Sequence, residues 1–179
     1  MKTLFHLLSI LLVFSCAQPQ KTEIISDKAP ADFSLEKKQI AAMLDSFNVA
    51  AARAEYERYF SFYTPDAVFT GTDATENWNK DAFMIWAKPH FDKKKTWNFT
   101  SLQRNIYSGR HPDIAWFDEL LKTGMKICRG SGVVVKQNGE WKVEQYILSM
   151  TVPNEKVDEV LKLKGPIEDS LVVVLEGKK

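Results

Sequence analysis

Two adjacent carboxylates in a β-rich stretch, Asp118 and Glu119, are the residues of this chain best suited to moving a proton. Strand side chains alternate between faces, so only one of the two can enter a cavity beneath a sheet. Trp116 shares the face of Asp118. If that aromatic points inward, Asp118 sits in a partly dry setting that raises a carboxyl toward useful general-base values. Asp118 is therefore the candidate catalytic base, and the competing reading makes it half of a structural ion pair with Arg129 or Arg104. Arg129, between Cys128 and Gly130, could also clamp a ligand carboxylate through its planar guanidinium. Tyr63 and Tyr146 bring phenols that donate either to a developing oxyanion or to a backbone carbonyl. Trp78, Trp86 and Trp97 suit a core or a cavity wall. The candidate pocket set is thus Tyr63, Trp78, Trp86, Arg104, Trp116, Arg129 and Tyr146.

Other chemistries find less support. Cys128 reads as a small core residue, since an activated thiol needs a nearby base and neither His90 nor His111 is close in sequence. Beyond His6 in the N-terminal apolar run, His90 and His111 are far apart and lack paired ligand spacing, which predicts no transition-metal site. The chain contains no phosphate-cradling glycine loop of the P-loop or dinucleotide type and no serine-nucleophile elbow, so no cofactor is expected. Lys93-Lys94-Lys95 is read as a solvated helix end. The 24 Lys and Arg against 23 Asp and Glu give a net charge of +1, which provides no field to attract nucleic acid.

These residues must be held by a small number of elements. With 179 residues the chain predicts one domain with a real core. Ser34 followed by Glu36 opens a long amphipathic helix that breaks or continues near Ala51 to Phe60. Thr64-Pro65-Asp66 is turn chemistry, followed by a short strand closed by Gly71. Asn77 or Asn79 can cap a second helix, which Pro89 should kink or end. From Trp97 to Val152 four β-rich stretches follow one another, and Asn138-Gly139 is a strong hairpin signal. Helices followed by consecutive strands predict an α+β fold with an antiparallel sheet and helices on one face. Val157 to Leu163 suggests a closing helix, and Leu171 to Leu175 a further strand or an ordered tail.

Tyr63-Thr64-Pro65-Asp66-Ala67-Val68-Phe69, Ala115-Trp116-Phe117-Asp118-Glu119, Cys128-Arg129-Gly130-Ser131-Gly132-Val133 and Gly139-Glu140-Trp141-Lys142-Val143 with Gln145-Tyr146 together resemble the SnoaL-like branch of the nuclear-transport-factor-2-like superfamily. The resemblance covers roughly Phe33 to Pro153. It implies a cone-shaped fold, a curved antiparallel sheet wrapped by helices around a pocket. It also implies a choice of activities, because that superfamily holds isomerases, dehydratases, cyclases and pure binding domains, and fold does not settle function. A homodimer through the open sheet face is a further implication.

The N-terminus adds an address. Lys2 and the apolar run Leu4 to Phe14 read as a signal peptide, too short for a membrane span. Val13-Phe14-Ser15-Cys16 resembles a bacterial lipobox, with Cys16 as the lipidated residue. The predicted organisation is a leader over 1–15, a flexible tether over 16–32, a SnoaL-like domain over 33–155, and a C-terminal helix and tail over 156–179. The expected location is the bacterial cell envelope, lipid-anchored and facing the periplasm or the exterior. Three functions remain open: binding of a small apolar or amphipathic ligand in the cone, cofactor-independent isomerase, dehydratase or cyclase chemistry on Asp118, and a structural or dimerisation module with a filled cone.

Overall fold

The computed structural model describes residues 32–109 and 111–178. The expectations for the leader, for Cys16 and for nearly all of the tether lie outside the described residues. Helix α1 (Ser34–Ala52) buries Ile40, Leu44, Phe47, Asn48, Ala50 and Ala51 along one stripe, as its periodicity predicts. Its first turn is tied by Asp32, whose Oδ1 accepts from the Ser34 amide at 2.9 Å. A left-handed Ala54 (φ 55°) separates α1 from the short α2 (Tyr56–Ser61), so the long amphipathic segment is two helices. Strands β1 (Tyr63–Thr70) and β2 (Asn77–Asn79) follow, then α3 (Lys80–Asp92).

The Asn79 side chain caps α3 by accepting from the Ala82 amide at 2.9 Å. Pro89 does not end this helix, which runs on to Asp92. Only the final turn follows the proline, and Ile85, whose carbonyl loses its partner there, is largely exposed, so water can serve that carbonyl.

Strands β3 (Thr100–Ser108), β4 (Ile114–Thr123), β5 (Lys126–Gln137) and β6 (Glu140–Met150) form an antiparallel meander. The β5–β6 turn has positive φ at both Asn138 (52°) and Gly139 (83°), the backbone a tight type I′ hairpin requires. The curved six-stranded sheet has the order β2-β1-β6-β5-β4-β3. It departs from a purely antiparallel sheet at one seam, where β1 lies parallel to β6.

Helices α1, α2 and α3 cover the concave face. Phe47 of α1 stacks on Tyr59 (4.6 Å, 20°) and meets Tyr63 and Tyr146 edge-on or tilted, joining helix to sheet in one aromatic core. Close approach at β5 needs glycine: a Cβ on Gly132 would lie 2.2 Å from the Gln145 carbonyl oxygen. The register shift between Val133 and Val134 follows directly, and such bulges curve a sheet.

A single-turn 3₁₀ segment leads to α4 (Val157–Glu176). The run Leu171 to Leu175 belongs to this helix and is neither strand nor tail. Three consecutive valines favour strands through stiff side chains, but among the described residues this segment packs against no strand. No residue of α4 is buried, and among the described residues no helix is long and apolar enough to cross a membrane.

Candidate functional site

The alternation along β4 decides which carboxylate faces the helices. Ala115, Phe117, Glu119 and Leu121 are buried, whereas Trp116 is 45% exposed. The premise of an inward Trp116 therefore fails, and Asp118 goes outward with it. On that outer face Asp118 accepts from Asn105 Nδ2 and from the Tyr107 hydroxyl, each at 3.0 Å, and Trp116 stacks on Tyr107. Arg129 is exposed on the same outer face, across from Leu120 and Ser149. Asp118, Trp116 and Arg129 thus lie across the sheet from the helices, and Asp118 has no place as a base in the cone. Tyr107, Ile114, Trp116 and Ile127 are exposed on this outer face.

The inward carboxylate is Glu119, with a side chain 0% exposed. Arg104 of β3 donates from Nε to Glu119 Oε2 at 2.9 Å. Its Nη2 lies 2.8 Å from the same oxygen without a well-aligned hydrogen bond. Arg104 Nη1 reaches the Ala41 carbonyl at 3.0 Å and Asp45 at 2.8 Å on α1. Tyr146 donates to the other Glu119 oxygen at 3.2 Å. Burial opposes charge on Arg104, but Glu119 and Asp45 outweigh it and hold the guanidinium above its ordinary range. Both Glu119 oxygens are therefore committed to a buried network that ties α1 to the sheet.

Tyr63 belongs to the same interior. Its hydroxyl lies 3.1 Å from that of Tyr59, and burial drives both phenols well up from the usual tyrosine range. Burial, and then the charge of Glu119, does the same to Tyr146.

A separate cavity of about 460 Å³ opens between β1, β2, α3 and the segment leading into β3. Its wall is aromatic: Phe69, Trp78, Phe83, Trp86, Trp97 and Phe99, with Leu148 and Met125 completing the apolar surface. The rings run nearly parallel. Phe69 and Phe83 stack at 4.1 Å and 5°, Trp78 and Trp86 at 5.0 Å and 26°, and Phe83 and Trp97 at 6.0 Å and 22°. Trp86 remains 40% exposed and carries His90 stacked on its outer side at 4.8 Å.

Of the seven pocket residues expected from sequence, Trp78 and Trp86 line this cavity. Arg104 and Tyr146 belong to the buried network around Glu119, and Tyr63 pairs with Tyr59 in the same interior. Sequence reasoning misses Phe69, Phe83, Phe99 and Glu76, and of the adjacent carboxylates it favours Asp118 over Glu119. For Glu119 a signal existed, because Ala115, Phe117 and Leu121 mark its face as the apolar one. Cys128 is buried, in keeping with a core thiol. Among the described residues no group of three His, Cys, Asp or Glu side chains is placed to hold a metal.

A curved sheet closed by helices over an aromatic cavity defines an α+β cone of the nuclear-transport-factor-2-like, or cystatin-like, kind. The chain belongs to the SnoaL-like domain family, whose model matches residues 40–153. A comparison with curated proteins finds no match. Among solved structures, a nuclear-transport-factor-2-like protein of unknown function from Pseudomonas putida KT2440 is 16% identical, with a TM-score of 0.55 over 68% of this chain and 91% of that one. An uncharacterized protein with a cystatin-like fold from Caulobacter vibrioides is 13% identical, with a TM-score of 0.57 over 72% and 97%. A scytalone dehydratase candidate from Novosphingobium aromaticivorans DSM 12444 is 13% identical, with a TM-score of 0.55 over 66% and 85%. At these identities the likeness is one of fold.

Proposed function

We propose that this protein is an exported lipoprotein whose cone takes up a small apolar or amphipathic ligand. The observation that carries the reading is the open cavity of about 460 Å³ walled by six aromatic side chains, a size within the range of small-molecule sites. A filled structural cone does not fit such a cavity. Enzymatic isomerisation or dehydration fits less well than binding, because Glu119 is held by Arg104 and Tyr146 and does not line the cavity. A general base must be able to reach the proton it removes.

A thermal-shift panel of steroids, polyketide-like aromatics and fatty acids tests the reading. A ligand at a hundred times its Kd stabilises by about 2.7 kcal/mol, and Trp86→Ala is expected to lose that shift, measured against the variant's own unliganded midpoint, which the lost stacking on Trp78, Phe83 and Trp97 lowers. Turnover of a panel member that disappears in Glu119→Gln would replace binding with catalysis, and silence across the panel would sink the ligand reading.

The apolar run Leu4 to Phe14 before Ser15-Cys16 supports anchoring at the envelope, where several acyl chains hold a protein stably and one alone does so only marginally. In a bacterial host, Cys16→Ala is expected to move the protein from the membrane pellet to the soluble fraction and to end its labelling by palmitate. An unlabelled wild-type protein would refute the anchor.

A further inference from the structure

Among the described residues that line the aromatic cavity, Glu76 is the only charged one. It lies in the loop between β1 and β2, which is closed by the Gly71 amide donating to the Glu76 carbonyl at 2.9 Å. The side chain folds back over Gly71, which itself lines the cavity. A Cβ on Gly71 would lie 2.1 Å from Glu76 Oε2, so the bare glycine backbone is what admits the carboxylate there. Oε2 also accepts from the Asp73 amide at 3.2 Å. A carboxylate has about four acceptor positions, so one long hydrogen bond leaves most of its capacity unspent.

The surrounding chemistry favours one sign of ligand charge. Aromatic faces carry negative potential and attract cations, most of all when water is excluded. A carboxylate on the same wall adds Coulomb attraction that the half-buried position preserves. No lining Lys or Arg offsets it. Ring geometry adds a shape: Phe69, Trp78 and Phe83 lie within 16° of one another, so a flat ligand lying parallel to them extends a stack that is already formed.

We infer that the cavity selects a flat organic cation, an aromatic body bearing a quaternary or protonated nitrogen, with Glu76 as the countercharge. This rests on the cavity being a ligand site at all, and the experiment separates the two claims. Three bicyclic probes of matched shape are titrated into the protein by calorimetry: 1-methylquinolinium, its neutral counterpart 1-methylnaphthalene, and 1-naphthoate.

The expected order is cation, then neutral, then anion, with the cation about tenfold tighter than the neutral probe, equivalent to about 1.4 kcal/mol. Glu76→Gln should remove that preference and leave 1-methylnaphthalene within about twofold, a change close to the scatter expected of a surface substitution. The glutamine carbonyl can still accept from Asp73, so this variant changes charge and keeps the loop. Gly71→Ala, which displaces the carboxylate without removing it, should give the same loss. Neutral binding equal to or tighter than the cation, or an order unchanged in Glu76→Gln, would overturn the cationic inference and leave the apolar-ligand reading intact. Tightest binding of the anion would also overturn it. Failure of all three probes to bind would count against both claims.

Discussion

Arg104→Met is expected to destabilise the protein by about 3 to 5 kcal/mol, the loss typical when one partner of a buried ion pair is removed. The Glu119 side chain is fully buried and Arg104 is 10% exposed, so little water can replace the guanidinium. The substitution also removes the links to Ala41 and Asp45 on α1, and α1 loses its polar tie to the sheet. Methionine keeps most of the stem volume, which isolates the lost charge and donors from a simple cavity effect. The double variant Arg104→Met with Glu119→Gln should lose clearly less than the sum of the single losses, because it removes the uncompensated charge. Urea denaturation of the four proteins makes the comparison. Strict additivity, or a single-variant loss below about 1 kcal/mol, the range of an exposed pair, would mean that the network is not what joins helix to sheet.

A second large effect is expected at high pH. Tyr59, Tyr63 and Tyr146 have their phenols pushed up by burial, so the folded chain keeps three protons that the unfolded chain releases above about pH 10. The unfolded state then binds fewer protons than the native state, and the unfolding free energy falls as pH rises. The contribution is fully present below the ordinary tyrosine range and is lost as pH climbs through the folded values. Each phenol contributes about 1.4 kcal/mol per pH unit, so three approach a slope of about 4 kcal/mol per pH unit. Denaturation midpoints measured from about pH 9 to about pH 11 should show the fall, with tyrosinate absorbance of these three appearing together with unfolding. Stability that stays flat over that interval, with tyrosinate forming in the native protein, would contradict the burial of the three hydroxyls.

Much of the frame was legible because it rests on local chemistry. Asn138-Gly139 needed only backbone preference to specify its hairpin, and Asn79 needed only a side-chain oxygen three residues before a free amide. The site was less legible for a different reason. Period-two alternation separates Asp118 from Glu119 but does not say which face is inside. A tryptophan suggested one answer, and the smaller Ala115, Phe117 and Leu121 on the opposite face decided the other. Trp116 is stabilised outside by Tyr107 instead. The cavity wall was legible in Trp78 and Trp86 but not in Phe69 or Phe83, because it depends on how α3 lies against β1, a long-range packing that no short window contains. The valine-rich end of α4 shows strand propensity yielding where, among the described residues, no strand packs against it.

Five tryptophans make the ligand-binding claim directly measurable. Trp78, Trp86 and Trp97 line the cavity, whereas Trp116 lies on the outer sheet face and Trp141 packs beneath Phe33. In a nitrogen-resolved NMR titration with 1-methylnaphthalene, the indole N–H signals of the first three should move together and saturate, while those of Trp116 and Trp141 stay in place. Signals that do not move, or that move at Trp116 instead, would contradict a ligand site in the aromatic cone.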